Sequence, residues 1–93
     1  MVTSRRRTEQ YRDADFSRMV PAETLRVRQL YAEGVLQQIW HRADGLGACF
    51  VLEAKSLNAA RGVVDSLPMA GAGLVEFTVL ELKPYRGFCP GRF

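Results

Sequence analysis

The chain has little of what the commonest site chemistries need. Cysteine occurs twice in 93 residues, at Cys49 and Cys89, and histidine once, at His41. Two distant thiols do not make a disulfide framework, so both are expected to be free in a reducing cytoplasm. One imidazole and two separated cysteines also lack the spacing of a metal site, and neither a metal nor an organic cofactor is expected. No apolar run approaches the roughly 18 residues of a membrane span, and the polar stretch from Thr3 to Arg7 is unlike a secretory signal. Charge of one sign is scarce as well. The formal net charge is +3, and Arg5, Arg6 and Arg7 supply it almost alone. A nucleic-acid binder needs a basic face with aromatics to stack on, and nothing beyond that tripeptide offers one.

What is present suits one small folded domain spanning residues 1–93. Hydrophobic residues make up 47% and charged residues 25%, the balance of a globular chain and not of a disordered one. A chain of this length buries a modest core and often gains more from a partner subunit.

The pattern alternates between strand and helix periods. Met1 to Arg7 reads as a short first strand, with three arginines that argue for an edge or a fraying end. Thr8 to Ala14 is a polar loop in which Asp13 or Asp15 can cap the next helix. That helix runs from about Phe16 to Glu33 and stops at Gly34. Pro21 lies on its outward side and predicts a kink; a helix starting at Pro21 is the alternative. Val35 to Arg42 and Ala48 to Ala54 form a hairpin around Asp44-Gly45-Leu46-Gly47. Gly45-x-Gly47 is therefore a turn and not a phosphate loop, since no helix follows it. Ser56 caps a second helix from Leu57 to about Leu67, and Pro68 ends it. A small-residue loop, Met69 to Gly73, leads to a last strand, Leu74 to Lys83, and residues 84–93 form a tail.

The order strand, helix, strand, strand, helix, strand predicts an α+β, ferredoxin-like βαββαβ domain. Two helices would cover one face of a four-stranded antiparallel sheet. Cys49-Phe50-Val51-Leu52 is apolar on both faces. The last strand offers Val75, Phe77 and Val79 to one side and Leu74, Leu80 and Leu82 to the other. The face without helices asks for a second sheet, hence a homodimer joined face to face.

Glu23 interrupts the apolar stripe of the first helix. At about 100° per residue, Phe16, Met19, Val20, Val27, Leu30 and Tyr31 lie within roughly 60° of one line, and Glu23 falls near its centre. A carboxylate facing the core must find partners or hold its proton, and burial pushes its pKa upward. That suits a group that takes and returns protons near neutral pH. If the helix began at Pro21, Glu23 would fall in the first turn and the helix dipole would lower its pKa instead.

From Glu23 to Leu82, about two-thirds of the chain, the sequence resembles the muconolactone isomerase-like family of small dimeric α/β-barrel proteins. The likeness is carried by Glu23 with Leu30, by Glu33-Gly34 closing the helix, by Ile39-Trp40 six residues on, and by Ser66-Leu67-Pro68 after the second helix. The resemblance implies the ferredoxin-like fold, dimers that can stack into larger rings, and a pocket near the subunit boundary. It also implies cofactor-free movement of a proton within a small unsaturated lactone. Two departures bear on the substrate. His41 stands where the isomerase has an arginine after the tryptophan, with Arg42 following, and the stretch from Leu82 to Phe88 looks like a different branch.

Each candidate residue has a functional and a structural reading. Glu23 is a general base and acid, or a carboxylate paired with Arg26 or with an arginine of a partner subunit. His41 shares the proton transfer or holds an enolate oxygen, or is a surface or interface histidine. Trp40 is a core or interface anchor, or a substrate platform. Alternation sends Trp40 and His41 to opposite faces, so at most one should line any given pocket. Tyr31 donates a hydrogen bond into the pocket or leaves its hydroxyl at the rim. Arg42, Tyr85 and Arg86 can clamp a carboxylate, or are solvated, or pin the tail to another subunit. Cys49, among apolar neighbours, is inert packing. The leading expectation is a cofactor-free isomerase acting on a small carbonyl or lactone compound. A non-catalytic ligand-binding or assembly module is the second reading, and cofactor-free oxidation of an aromatic substrate, by analogy of fold alone, the third.

Overall fold

The arginine-rich first strand lies inside the sheet. In the computed structural model, which describes residues 1–85 and Gly87, strand β1 (Val2–Arg6) is flanked by β3 (Ala48–Leu52) and β4 (Val75–Val79). The expected edge position is corrected for a physical reason. Alternation sends Val2 and Ser4 inward, 1% and 6% exposed, while Arg5 on the other face meets the carboxylates of Glu9 and Glu76. With β2 (Leu36–His41) paired to β3, the strand order is β2-β3-β1-β4 with every neighbour antiparallel. This is an α+β arrangement compatible with the expected ferredoxin-like topology.

Helix α1 spans Asp13–Ala32, three residues more at its start than the apolar stripe predicts. Neither Asp13 nor Asp15 is the cap residue. Arg12 holds that place, and the Asp15 carboxylate accepts the Arg12 backbone N–H at 2.9 Å from the first turn. Pro21 is accommodated inside the helix, so the start at Pro21 does not occur. Gly34 closes the helix with φ of +76°. Val35 N–H donates to the Leu30 carbonyl at 3.0 Å and Gly34 N–H to that of Tyr31 at 3.1 Å, the paired bonds of a Schellman ending.

The hairpin holds a register shift that alternation alone misses. Leu36 pairs with Leu52 and Gln38 with Val51, so Gln37 is an extra residue in β2. The bulge lets Leu36 share a face with Ile39 and His41 although the spacings are odd. Beyond it, Ile39 pairs with Phe50, Trp40 with Cys49 and His41 with Ala48. At the hairpin's end Gly47 lies against β1. A Cβ there would stand 2.2 Å from the Ser4 carbonyl oxygen, a contact that only glycine escapes.

Ser56 caps α2 (Leu57–Asp65), its Oγ accepting the Ala59 N–H at 3.1 Å. Pro68 does not simply end this helix. It opens a further helical turn, α3 (Pro68–Gly71), because proline's fixed φ and missing N–H suit a first helical position. Strand β4 stops at Val79, short of the expected Lys83, and Leu80 and Leu82 are each 55% exposed. Leu74 also departs from expectation. It precedes β4 and is buried with Phe16, Met69 and Val75 on the helix side.

The core lies on one face. Val2, Leu30, Leu36, Phe50, Val64 and Leu67 bring α1 and α2 onto the sheet, and the cluster around Phe16 closes the end near α3. Each such side chain, once buried, stabilises the fold by about 1.5–3 kcal/mol. The opposite face carries Thr3, Arg5, Gln38, Trp40, Cys49, Val51, Glu76 and Thr78, as the register requires. Among the described residues, no helix is long and apolar enough to cross a membrane.

Candidate functional site

Between α1 and the helix-facing side of the sheet lies a half-open cleft of about 340 Å³. Its wall on the helix side is Val20, Glu23, Thr24, Val27 and Arg28, and its floor includes Ile39, Phe50, Leu52 and Phe77. Most of this lining is apolar. The size and character suit a small organic ligand.

Glu23 is half-buried in this wall, in the second helical turn after Phe16. Its Oε1 accepts the backbone N–H of Met69 at 3.1 Å, which ties α1 to the start of α3. Burial pushes its pKa above the ordinary carboxylate value, and the Met69 N–H partly offsets that rise. The pairing with Arg26 does not form. Arg26 turns to Ser66, donating to its Oγ from Nε at 3.2 Å and from Nη2 at 3.1 Å, and reaches Gln29 Oε1 at 3.5 Å. Among the described residues Glu23 has no ion-pair partner. A desolvated carboxylate with one hydrogen bond and an apolar cavity beside it can accept a proton and give it back.

His41 and Trp40 both line the cleft, against the expectation that at most one would. His41 lies on the helix-facing side with Ile39, two residues before it, as their pairing with Ala48 and Phe50 requires. Trp40 points its strand position to the other face and is 52% exposed. Since β2 is an edge strand, a cleft opening along that edge meets successive residues of it.

The other expected residues lie elsewhere. Tyr31, 65% exposed, is outside the cleft, because Leu30 beside it takes the inward position and the next residue is turned by about 100°. Arg42 borders a separate polar hollow with Thr3, Arg5 and Glu76. Its guanidinium is engaged there, donating to Asp44 Oδ2 at 2.6 Å and to the Ser4 carbonyl at 3.1 Å. Tyr85, 70% exposed, follows β4 and does not line the cleft. Arg86 and Cys89 lie outside the described residues. Cys49 is a half-buried free thiol on the outer face opposite Trp40. Among the described residues, no cluster of three or more His, Cys, Asp or Glu is arranged to hold a metal ion.

Two cleft residues escaped the reading of the sequence. Arg6 follows Val2 and Ser4 at period two on the inward face, and Arg28 follows Val20 and Thr24 at helical spacing; both line the cleft. Strand alternation marks Arg6, whereas Arg28 stands about 120° round the helix from the centre of the apolar stripe and carries no such mark. No family model matches the chain, and no curated protein matches it.

Proposed function

We propose that this chain is a muconolactone isomerase-like protein, a cofactor-free isomerase that shifts a proton on a small unsaturated lactone or carbonyl compound. The supporting observation is the half-buried Glu23 carboxylate, its pKa raised by desolvation, beside an apolar cleft of about 340 Å³. Ionised Glu23 removes a proton from carbon next to the substrate carbonyl, leaving an enolate. The resulting carboxylic acid returns the same proton to a second carbon of the conjugated system. Nothing is consumed, and the carboxylate is restored. His41, on the opposite wall, donates a hydrogen bond to the enolate oxygen, and Trp40 edges the substrate.

In the same reading the outer face is covered by a second sheet, giving a homodimeric α/β barrel. Trp40, Cys49 and Val51 form an apolar group there, which supports a partner of like surface. A second, non-catalytic reading is favoured by the open mouth of the cleft, since a bound enolate needs shelter from water.

The test is Glu23→Gln assayed in deuterated water against unsaturated lactones, with proton exchange and isomer formation followed by NMR. The expected loss is about 10²–10⁴-fold for a removed general base, with the melting temperature within a few degrees of the parent. Retained turnover sinks the proposal, as does a variant that melts far lower. Saturable binding without exchange or product supports the non-catalytic reading.

A further inference from the structure

Helix α1 carries two acid–arginine pairs at the same spacing and in the same order, and they behave differently. Asp15 and Arg18 stand at i and i+3, and Arg18 Nη2 reaches Asp15 Oδ1 at 3.6 Å. Glu23 and Arg26 also stand at i and i+3, with the acid first. Side chains so placed are neighbours on a helix, and a half-buried carboxylate gains from a nearby cation. Yet among the described residues Glu23 and Arg26 form no ion pair.

The difference lies across the junction between α2 and α3. Every nitrogen of the Arg26 guanidinium has an acceptor elsewhere. Nε and Nη2 both donate to Ser66 Oγ, at 3.2 and 3.1 Å, and Nη1 donates to Gln29 Oε1 at 3.5 Å. Ser66 caps the end of α2. Its hydroxyl proton goes to the Val63 carbonyl at 2.6 Å, which turns the oxygen lone pairs toward Arg26. Further along the junction, the Met69 N–H donates to Glu23 Oε1 at 3.1 Å. Helix α1 therefore meets the junction with its cation on Ser66 and its carboxylate on Met69, and the opposite charges are kept apart. The other charged or titratable groups that line the cleft are Arg6 from β1, Arg28 from α1 and His41 from β2, while α3 contributes none. None of them makes a salt bridge to Glu23 among the described residues.

We infer that Ser66 is a positioning residue: its hydroxyl holds Arg26 away from Glu23 and so keeps the cleft carboxylate without a counter-ion. A carboxylate paired with a guanidinium binds a proton less readily and is a weaker base. The role rests on the reading of Glu23 as the base, and Ser66 plays it through Arg26, since Ser66 does not itself line the cleft. Its effect can nevertheless be read from the carboxylate alone, without turnover.

The experiment follows the Glu23 side-chain carboxyl by carbon NMR through a pH titration of the full chain, with Glu23→Gln assigning the signal. In Ser66→Ala the guanidinium loses its main acceptor and swings to Glu23. The carboxyl midpoint should then fall by about half a pH unit or more. Ser66→Thr, which keeps a hydroxyl, should retain the parent midpoint. Ser66→Ala combined with Arg26→Met should not show the fall, because no cation remains to swing. Gln29→Ala removes only the longer contact and should lower the midpoint less. The inference is overturned if Ser66→Ala leaves the midpoint unchanged or raises it. A rise is what a loosened junction gives, through loss of the Met69 N–H, and would make the serine merely structural. It is overturned too if the fall persists once Arg26 is gone. Should Ser66→Ala not fold, a fall in Gln29→Ala with none in Arg26→Met supports the inference, and any other result overturns it. The two readings fail separately: turnover retained by Glu23→Gln removes the base and leaves the titration as it was, whereas an unmoved titration removes the role of Ser66 and leaves the base.

Discussion

Arg5 and Arg6 are adjacent in the chain and on the two faces of one central strand. Arg5, on the outer face, hydrogen-bonds to Glu9 and Glu76, and those bonds raise its pKa above its ordinary value. Arg6, on the helix face, has an aromatic ring beneath it and an apolar cleft beside it. The same division extends across the sheet. Outside, Arg42 is matched by Asp44; inside, Glu23 and Arg28 have no ion-pair partner among the described residues. A charge that is already neutralised is spent on the fold, and one left without a counter-ion beside a cavity is available to a ligand.

The hardest strike at this contrast is on the apolar residues that separate the faces. Phe50 is 5% exposed in the core, and its neighbour Val51 points outward from the same strand. Phe50→Ala should cost about 3–5 kcal/mol in urea denaturation, the usual loss for a large aromatic. Val51→Ala should cost about 1 kcal/mol or less in a lone chain. If Val51→Ala proves as damaging, and its midpoint depends on protein concentration, another chain covers the outer face. The contrast would then lie between a ligand cleft and a subunit interface. Gly47→Ala comes next. Its methyl group would meet backbone atoms of Ser4 at 2.2 and 2.8 Å, so hairpin and central strand must separate. A cost of about 1–3 kcal/mol is expected, and a neutral result would show that the hairpin's end is not held against β1.

Much of this was legible in the residues, and the failures have physical causes. The body of helix α1, its glycine ending and the Ser56 cap follow from period and cap chemistry; the start of α1, capped at Arg12 and not at Asp13 or Asp15, lies three residues before the apolar stripe begins. Glu23 was visible as a polar interruption of an apolar stripe, and it does stand half-buried at a cleft. The bulge at Gln37 was not visible, because an extra residue leaves no mark in composition; it moves Leu36 onto the face of Ile39 and His41. Tyr31 and Leu30 differ by one helical step, and periodicity is too blunt to choose which turns inward. Arg42 suggests a carboxylate clamp, a solvated side chain or a pin for the tail, but Asp44 two residues away takes its guanidinium. Arg6 was overlooked for the opposite reason, as one of three arginines that looked like a solvated end.

Glu23 offers a smaller, pH-dependent test of the same division. Burial raises its pKa in the folded state, so the folded chain binds the proton more readily than the unfolded one between the ordinary and the raised value. Stability must then fall as pH rises through that window and level off above it. Glu23→Gln keeps an acceptor for the Met69 N–H and removes the charge. Its thermal stability should match the parent in acid and exceed it modestly at neutral pH. A parent that gains stability relative to the variant over that range would mean that the carboxylate has a cationic partner.

The smallest effect belongs to the outer face. Glu9 is held down to about 2 from an ordinary 4.5, first by hydrogen bonding to Arg5. A lowered carboxyl stabilises above its ordinary value and loses that contribution as pH falls toward about 2. Glu9 and Arg5 are both solvent-exposed, and water and salt screen such a pair heavily. Glu9→Gln should shift the melt at neutral pH by an amount near its resolution, with any difference vanishing in strong acid or in molar salt. Ligand affinity and turnover should not change at all, since the pair is on the far side of the sheet from the cleft. A loss of either would tie the two faces together through β1, and the separation argued from Arg5 and Arg6 would fail.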